Sequence, residues 1–120
     1  MAEFHELGKM GEAIAAKYLR AKGYRIVEQN YRFAKHEIDI IAEDGDQMVM
    51  VEVKTRESSF FGEPEVFVTK PKQRSIIRAA NAYINYKNID KETRFDVIGI
   101  VLKNQKARVK HLEDAFYPTL

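Results

Sequence analysis

The sequence has no cysteine, so the chain can form neither disulfide bonds nor thiolate metal sites. It also lacks any apolar run approaching the roughly 20 residues of a membrane-spanning helix. The first residues, "MAEFHELGKMGE", contain no basic region followed by a hydrophobic one, so no secretory signal is visible. These absences favour a reducing compartment, and we expect a cytoplasmic protein with no membrane partner.

Positive charge exceeds negative charge only slightly, with a net charge of +2 and a sequence pI near 8.8. Such a balance does not by itself identify a nucleic-acid partner, so the placement of the basic residues matters more. No internal repeat, low-complexity segment or linker interrupts the 120 residues. The length suits one domain with its own core, and we predict a single domain over residues 1–120.

Hydrophobic periodicity predicts a helix, three strands, a second helix and two more strands. The first helix should cover residues 5–22 and end at Gly23, and the second should run from Pro71 to about Tyr86. Strands are expected at residues 24–33, on both sides of a tight turn at Asp44-Gly45, at 94–102 and, as an edge strand, at 106–112. This order indicates an α/β sandwich with a mixed central sheet of about five strands flanked by helices.

The run "MVMVEVKTR" places Glu52 and Lys54 on one face of an otherwise apolar strand. An unpaired buried charge is costly, so this strand needs compensating groups. If Asp44 and Gly45 form a two-residue loop, Glu37 lies opposite Glu52 and Asp39 is diagonal to it. A three-residue loop would turn Asp39 to the other face. The existence of the site therefore depends on the hairpin register.

Acidic side chains that face one another across strands require a cation. Lys54 supplies one positive charge, and a divalent ion would supply two more. Mg²⁺ or Mn²⁺ is the expected ion, because both prefer carboxylate oxygens as ligands. Glu12 adds another acid, since it is the one charge on a helical stripe of small and apolar residues. The other members of that stripe are Gly8, Ala15, Ala16 and Leu19.

Four segments carry a resemblance to a known family: "GEAIAAKYLRAKGYRIVEQNYR", "EIDIIAEDGDQMVMVEVKTR", "KQRSIIRAANAYI" and "RFDVIGI". Together they resemble the YraN-like family of small bacterial proteins, which is assigned to the restriction-endonuclease-like superfamily and is similar to archaeal Holliday-junction resolvases. The resemblance covers almost the whole chain. It implies a restriction-endonuclease-like fold and the superfamily motif of an Asp followed by Glu-x-Lys, with a Glu in the preceding helix.

Matched position by position, the resemblance implies that Asp39 and Glu52 are metal ligands and that Lys54 is the catalytic lysine. Glu12 corresponds to the helix acid, and the Val53 carbonyl is a further candidate ligand. The expected activity is magnesium-dependent hydrolysis of phosphodiester bonds in DNA, with branched or structured DNA as one substrate option. The alternative is a non-catalytic module that keeps the nuclease fold and binds nucleic acid or a partner. A homodimer is an open option, because resolvase-like relatives act as dimers.

Several charged residues have both a functional and a structural interpretation. Asp96 lies in an apolar strand, where an ion pair with Arg94 explains it better than catalysis. Lys72 is the foremost candidate for a nucleic-acid contact, because it shares a helical stripe with apolar residues that should point it toward the sheet. For the other basic residues near the site, phosphate contacts and simple solvation are both open. These candidates are Lys70, Arg74 and Arg56, and the adjacent aromatic pair Phe60 and Phe61 is a candidate wedge between bases or a cover for the core.

Overall fold

The structure is a computed structural model that describes residues 2–58 and 63–118. Phe60 and Phe61 lie outside the described residues. The predicted order of elements is confirmed, although the first helix begins earlier than residue 5 and the last strand continues past residue 112. The elements are α1 Ala2–Ala21, β1 Arg25–Phe33, β2 His36–Asp44, β3 Gln47–Glu57, α2 Lys70–Lys87, β4 Glu92–Lys103 and β5 Lys106–Phe116.

The five strands form one mixed sheet in the order β1-β2-β3-β4-β5. Neighbouring strands run antiparallel except β3 and β4, which are parallel and are connected through α2. Helix α2 packs with one apolar cluster against β1 and β2, while α1 packs with a second cluster on the opposite face. This is the predicted α/β sandwich of the restriction-endonuclease-like type, and β5 is an edge strand as expected.

Local sequence signals explain where the helices begin and end. Gly23 follows α1 with a φ of 94°, which permits the N–H of Tyr24 to donate to the carbonyl of Leu19. Helix α2 begins after Thr69, whose side chain accepts a hydrogen bond from the Lys72 N–H, and Pro71 occupies its first turn. None of the helices in the described ranges combines the length and the apolarity needed to cross a bilayer.

The β2–β3 turn lies one residue later than the sequence predicts. Asp44 pairs with Gln47, so the two turn residues are Gly45 and Asp46 rather than Asp44 and Gly45. Gly45 takes the first turn position with a φ of 59°, a conformation that costs glycine little. The sequence "EDGD" offers an Asp on both sides of the glycine, so turn chemistry alone does not distinguish the two placements.

This later turn changes the pairing but preserves the faces. The β2–β3 ladder ends at Ile40 and Val51, so Glu37 does not pair with Glu52 as predicted. Moving a two-residue turn by one position shifts the pairing by two, and side chains alternate with a period of two. Asp39 lies just beyond the last pair of this ladder, and its charge still raises the pKa of Glu52, so the two acids lie together.

Candidate active site

Asp39 and Glu52 meet where the β2–β3 ladder ends. The last paired residues are Ile40 and Val51, and beyond them Asp39 Oδ2 accepts a hydrogen bond of 2.8 Å from the Val53 backbone N–H. The carboxyl groups of Asp39 and Glu52 also lie close enough that each shifts the pKa of the other. The side chain of Glu52 is only 12% exposed. The structure thus brings together the two acids on which the sequence interpretation depends.

The two carboxyl groups strongly perturb each other's protonation. Burial and the charge of Asp39 raise the pKa of Glu52 to about 8. Burial also raises the pKa of Asp39, although the Val53 N–H and Glu52 act in the opposite direction. Two adjacent carboxyl groups that are largely shielded from solvent cannot both ionise freely. The pair therefore retains a proton near neutral pH unless a cation is added.

One oxygen of this pair has no partner. Among the described residues, Glu52 Oε1 is the buried side-chain oxygen that no hydrogen-bond donor reaches. Buried polar atoms are normally satisfied, and an exception in a native fold points to a missing ion, water or ligand. The unsatisfied oxygen therefore marks a place where a cation or a donor would be favourable.

Lys72, and not Lys54, is the lysine in contact with Glu52. Lys72 Nζ lies 3.8 Å from Glu52 Oε2, and the apolar side chains that share its helical stripe, Ile76 and Tyr83, are buried as predicted. Lys54 shares the face of Glu52 and its charge lowers the pKa of that acid. Its Nζ, however, is 3.1 Å from Glu65 Oε1 and also donates to the Phe67 carbonyl.

Close packing of α1 against β3 places Glu12 near the pair. A Cβ on Gly11 would lie 1.7 Å from the Thr55 side-chain oxygen, so only glycine permits this approach. Burial and the charge of Asp39 raise the pKa of Glu12, while a hydrogen bond with Asn30 acts against the shift. Glu12 thus responds to the charge of Asp39, and the helix acid lies on the side of the site that the sequence predicts.

The donor set fits a hydrated divalent cation. Within residues 2–58 and 63–118, no three His, Cys, Asp or Glu side chains come close enough to enclose a metal ion by themselves. Mg²⁺ keeps several waters and is commonly bound through only one or two carboxylates. Asp39 and Glu52 supply those carboxylates, and the unpartnered oxygen of Glu52 is available to a cation. The Val53 carbonyl stays a predicted ligand.

The chain is similar in sequence to a family of known proteins. The model of the uncharacterised protein family UPF0102 matches residues 11–100. A UPF0102 protein from Christiangramia forsetii is 47% identical over 118 residues, which cover 98% of each chain. The chain belongs to the UPF0102 family. A UPF0102 protein from Bacteroides thetaiotaomicron is 44% identical over 120 residues, covering 100% of this chain and 99% of the relative. These findings confirm the YraN-like resemblance.

The basic residues predicted to contact nucleic acid fall into two groups in this UPF0102 chain. Arg56 lies with Lys54, and its Nη1 is 3.5 Å from Glu65 Oε2. Lys70 and Arg74 belong to the first turns of α2, where both side chains are exposed and Arg74 lines a separate cavity. Among the candidates on α2, Lys72 is the one whose side chain contacts Glu52.

Sequence reasoning missed Glu65, which holds both Lys54 and Arg56. The segment around it has no helical or strand periodicity, so no local pattern predicts where its side chain points. Gly99 was the available signal, because a glycine inside an apolar strand often marks a close backbone approach. A Cβ on Gly99 would lie 2.4 Å from the Glu65 carbonyl oxygen, which shows how tightly this loop crosses β4.

Asp96 is a second buried acid, with a different environment. Its ion pair with Arg94, at 2.9 Å, is confirmed. His111 Nε2 also donates to Asp96 at 2.7 Å, and the Asp114 backbone N–H donates at 3.0 Å. Burial alone would raise the pKa of Asp96, but these hydrogen bonds outweigh burial and lower it. Both oxygens are satisfied, so the acid has the structural role that the sequence favours.

Proposed function

We propose that this UPF0102 chain is a metal-dependent endonuclease that hydrolyses phosphodiester bonds in DNA, with branched or structured DNA among its substrates. One observation carries the proposal: the buried Asp39–Glu52 pair retains an oxygen without a partner, and lysines flank it. The family resemblance adds support, because the same positions match the superfamily's ligands.

Each residue of the site would have its own role in such a reaction. Asp39 and Glu52 would hold Mg²⁺ or Mn²⁺, with the Val53 carbonyl as a further ligand and Glu12 acting through water. When bound, such an ion polarises a phosphate and lowers the pKa of a water molecule. Lys72, near Glu52, supplies positive charge where negative charge develops on the phosphate.

Lys54 would be the second cation of this reaction. Its Nζ is held by Glu65 and by the Phe67 carbonyl, so these contacts must open before the ammonium group reaches a phosphate. The ion pair is partly exposed, with side-chain exposures of 33% for Lys54 and 47% for Glu65. Exposed ion pairs are weak, so an incoming phosphate can displace the carboxylate.

Incubation of the purified protein with linear, flapped and four-way DNA tests the proposal. Cleavage is expected with Mg²⁺ or Mn²⁺ and not with EDTA. Asp39→Asn and Glu52→Gln should each abolish it, because each removes one of the two carboxylates. The absence of cleavage on every substrate with both ions, or cleavage by the two variants at the rate of the wild type, would refute the nuclease proposal.

A non-catalytic nucleic-acid-binding module is the second candidate. It is favoured by the lack, in the described ranges, of a third acidic or histidine side chain close enough to share an ion. This candidate predicts salt-sensitive DNA binding that survives Asp39→Asn and Glu52→Gln. Calorimetric titration with Mg²⁺, repeated on Glu52→Gln, separates the two: a nuclease requires ion binding that the variant loses, whereas a pure binding module shows none.

A further inference from the structure

A solvent-open cavity of about 430 Å³ lies between the start of β2 and the outer side of α2. Residues from two parts of the chain line it. The turn before β2 and the first residue of that strand form one wall, and the first turns of α2 form the other. The lining residues are Lys35, His36, Pro71, Arg74, Ser75 and Arg78.

Three of the six lining side chains are cations, and none is acidic. In the described part of the chain, Lys35, Arg74 and Arg78 make no ion pair, whereas nearby Arg32 pairs with Glu37 at 3.0 Å. Arg74 and Arg78 are four residues apart on α2, a spacing at which like charges repel. A concave wall with uncompensated positive charge is therefore more stable with an anion in it.

The cavity is held in shape by a contact between its two walls. His36 Nδ1 and Ser75 Oγ are 2.7 Å apart, which ties the start of β2 to α2. The first turn of α2 has no acidic side chain, so the positive end of its dipole also favours an anion. Guanidinium groups match the geometry of phosphate oxygens, which makes phosphate the ligand chemistry that fits best.

The cavity adjoins the candidate active site through both of its walls. On β2, His36 is followed shortly by Asp39 on the same strand. On α2, Lys72 contacts Glu52, and Ser75 follows it by about one helical turn. A strand whose phosphodiester lies at the carboxyl pair can therefore continue to the cavity.

We propose that Lys35, Arg74 and Arg78 form a subsite that binds a backbone phosphate of the DNA strand lying across the Asp39–Glu52 pair. The identity of the ligand rests on the proposed function, while the site itself rests on the unpaired cations that line the cavity. The subsite would anchor the substrate and fix its register. It would not take part in bond cleavage.

Binding of a fluorescein-labelled DNA duplex, followed by anisotropy without divalent cations, tests the subsite. The double variant Arg74→Ala/Arg78→Ala should bind about tenfold more weakly near 0.1 M salt, and its logarithmic salt slope should fall by about one. The matched control is Lys17→Ala/Arg20→Ala, which removes the same charge from exposed positions on α1, across the sheet. This control should stay within about twofold of the wild type.

Two further measurements keep the result interpretable. Arg74→Lys/Arg78→Lys retains the charge and should recover most of the salt slope, and thermal unfolding of each variant checks that it is folded. Equal losses in the α2 and α1 variants, no loss in the α2 variant, or no DNA binding by the wild type would overturn the subsite.

Parallel cleavage assays separate this inference from the nuclease proposal. If the wild type binds with the expected pattern but cleaves no DNA with either ion, the subsite stands and the nuclease proposal fails. If the wild type cleaves DNA and the α2 and α1 variants lose equal affinity, the nuclease proposal stands and the subsite is wrong.

Discussion

Asp96 and Glu52 are buried carboxyls on adjacent strands, and the protein treats them in opposite ways. In the parallel β3–β4 ladder, Asp96 pairs with Val51 and Glu52 with Val97, so the acids are one position apart and point to opposite faces. Asp96 has a lowered pKa, whereas the pKa of Glu52 is raised to about 8. Burial is common to both, but donors surround Asp96, whereas Glu52 lies beside the charge of Asp39.

This difference separates a structural acid from a functional one. Asp96 is surrounded by donors from β4 and β5, so it needs nothing from outside the chain. Glu52 faces another acid, and one of its oxygens has no donor. A fold that keeps such an arrangement stores unfavourable free energy, which a bound cation would release.

The largest expected effect is the loss of Asp96. In Asp96→Ala, the buried Arg94 guanidinium loses its main partner and His111 loses its acceptor, so the free energy of unfolding should fall by about 3–5 kcal/mol. Urea unfolding of the wild type and the variant measures this loss of stability. Glu113→Ala, which removes a more distant and half-exposed partner of Arg94, should lose less than about 1 kcal/mol. Equal losses in the two variants would contradict a structural role for Asp96.

Glu52→Gln should act in the opposite direction. Without divalent cations, folding of the wild type near neutral pH requires a proton on the carboxyl pair, whereas the amide is already neutral, so the variant should be as stable as the wild type or more stable by roughly 1 kcal/mol. Added Mg²⁺ should then raise the melting temperature of the wild type and leave that of the variant unchanged. A variant that loses as much stability as Asp96→Ala would show that the two acids are equivalent after all.

The pH dependence of stability should also differ in sign between the two acids. Because the pKa of Glu52 is raised to about 8, the folded protein holds more protons than the unfolded chain between about pH 4.5 and 8. Stability without divalent cations should therefore fall as pH rises through that range, and Glu52→Gln should flatten this decline. Chemical denaturation at several pH values provides the comparison.

For Asp96 the lowered pKa gives the reverse dependence. Its contribution is complete above the pKa of an unfolded aspartate, near 3.9, and is lost as pH falls through the lower folded value. A loss of stability below about pH 4 that persists in Glu52→Gln is expected. If acid destabilisation disappeared in Glu52→Gln, the assignment of the two titrations would be wrong.

The smallest effect is expected at Glu65, whose ion pairs with Lys54 and Arg56 are partly exposed. Glu65→Gln should leave the unfolding transition unchanged, because exposed ion pairs contribute little. Under the nuclease proposal it should increase the cleavage rate a few-fold, since Lys54 is released toward the phosphate. Lys22→Gln, which breaks a comparable pair with Glu113, is the control and should alter neither quantity.

Much of the difference between Asp96 and Glu52 could be predicted from the sequence. Alternation along the strands placed Asp39 and Glu52 on one face, and the stripe on α2 directed Lys72 to the sheet. The turn position was wrong by one residue, because both placements satisfy the same turn chemistry. The ion pair of Asp96 with Arg94 followed from their positions on one strand face.

Contacts between residues of distant segments could not be predicted in the same way. His111 reaches Asp96 because β5 pairs with β4 through an irregular register between Phe95 and Val97. Strand pairing of that kind is not encoded in either segment alone. Glu65 lies in a segment without periodicity, and its contact with Lys54 depends on how the loop crosses β4.

The connection through α2 also has a consequence for the order of folding. The β2–β3 hairpin brings the two carboxyls together through contacts that are close in sequence, whereas Lys72 arrives only when the crossover helix docks. Local contacts form early and long-range ones late. The nascent hairpin therefore experiences the repulsion of Asp39 and Glu52 before their neutralising lysine is present. Early folding should be fastest in mildly acidic solution, where that pair is protonated.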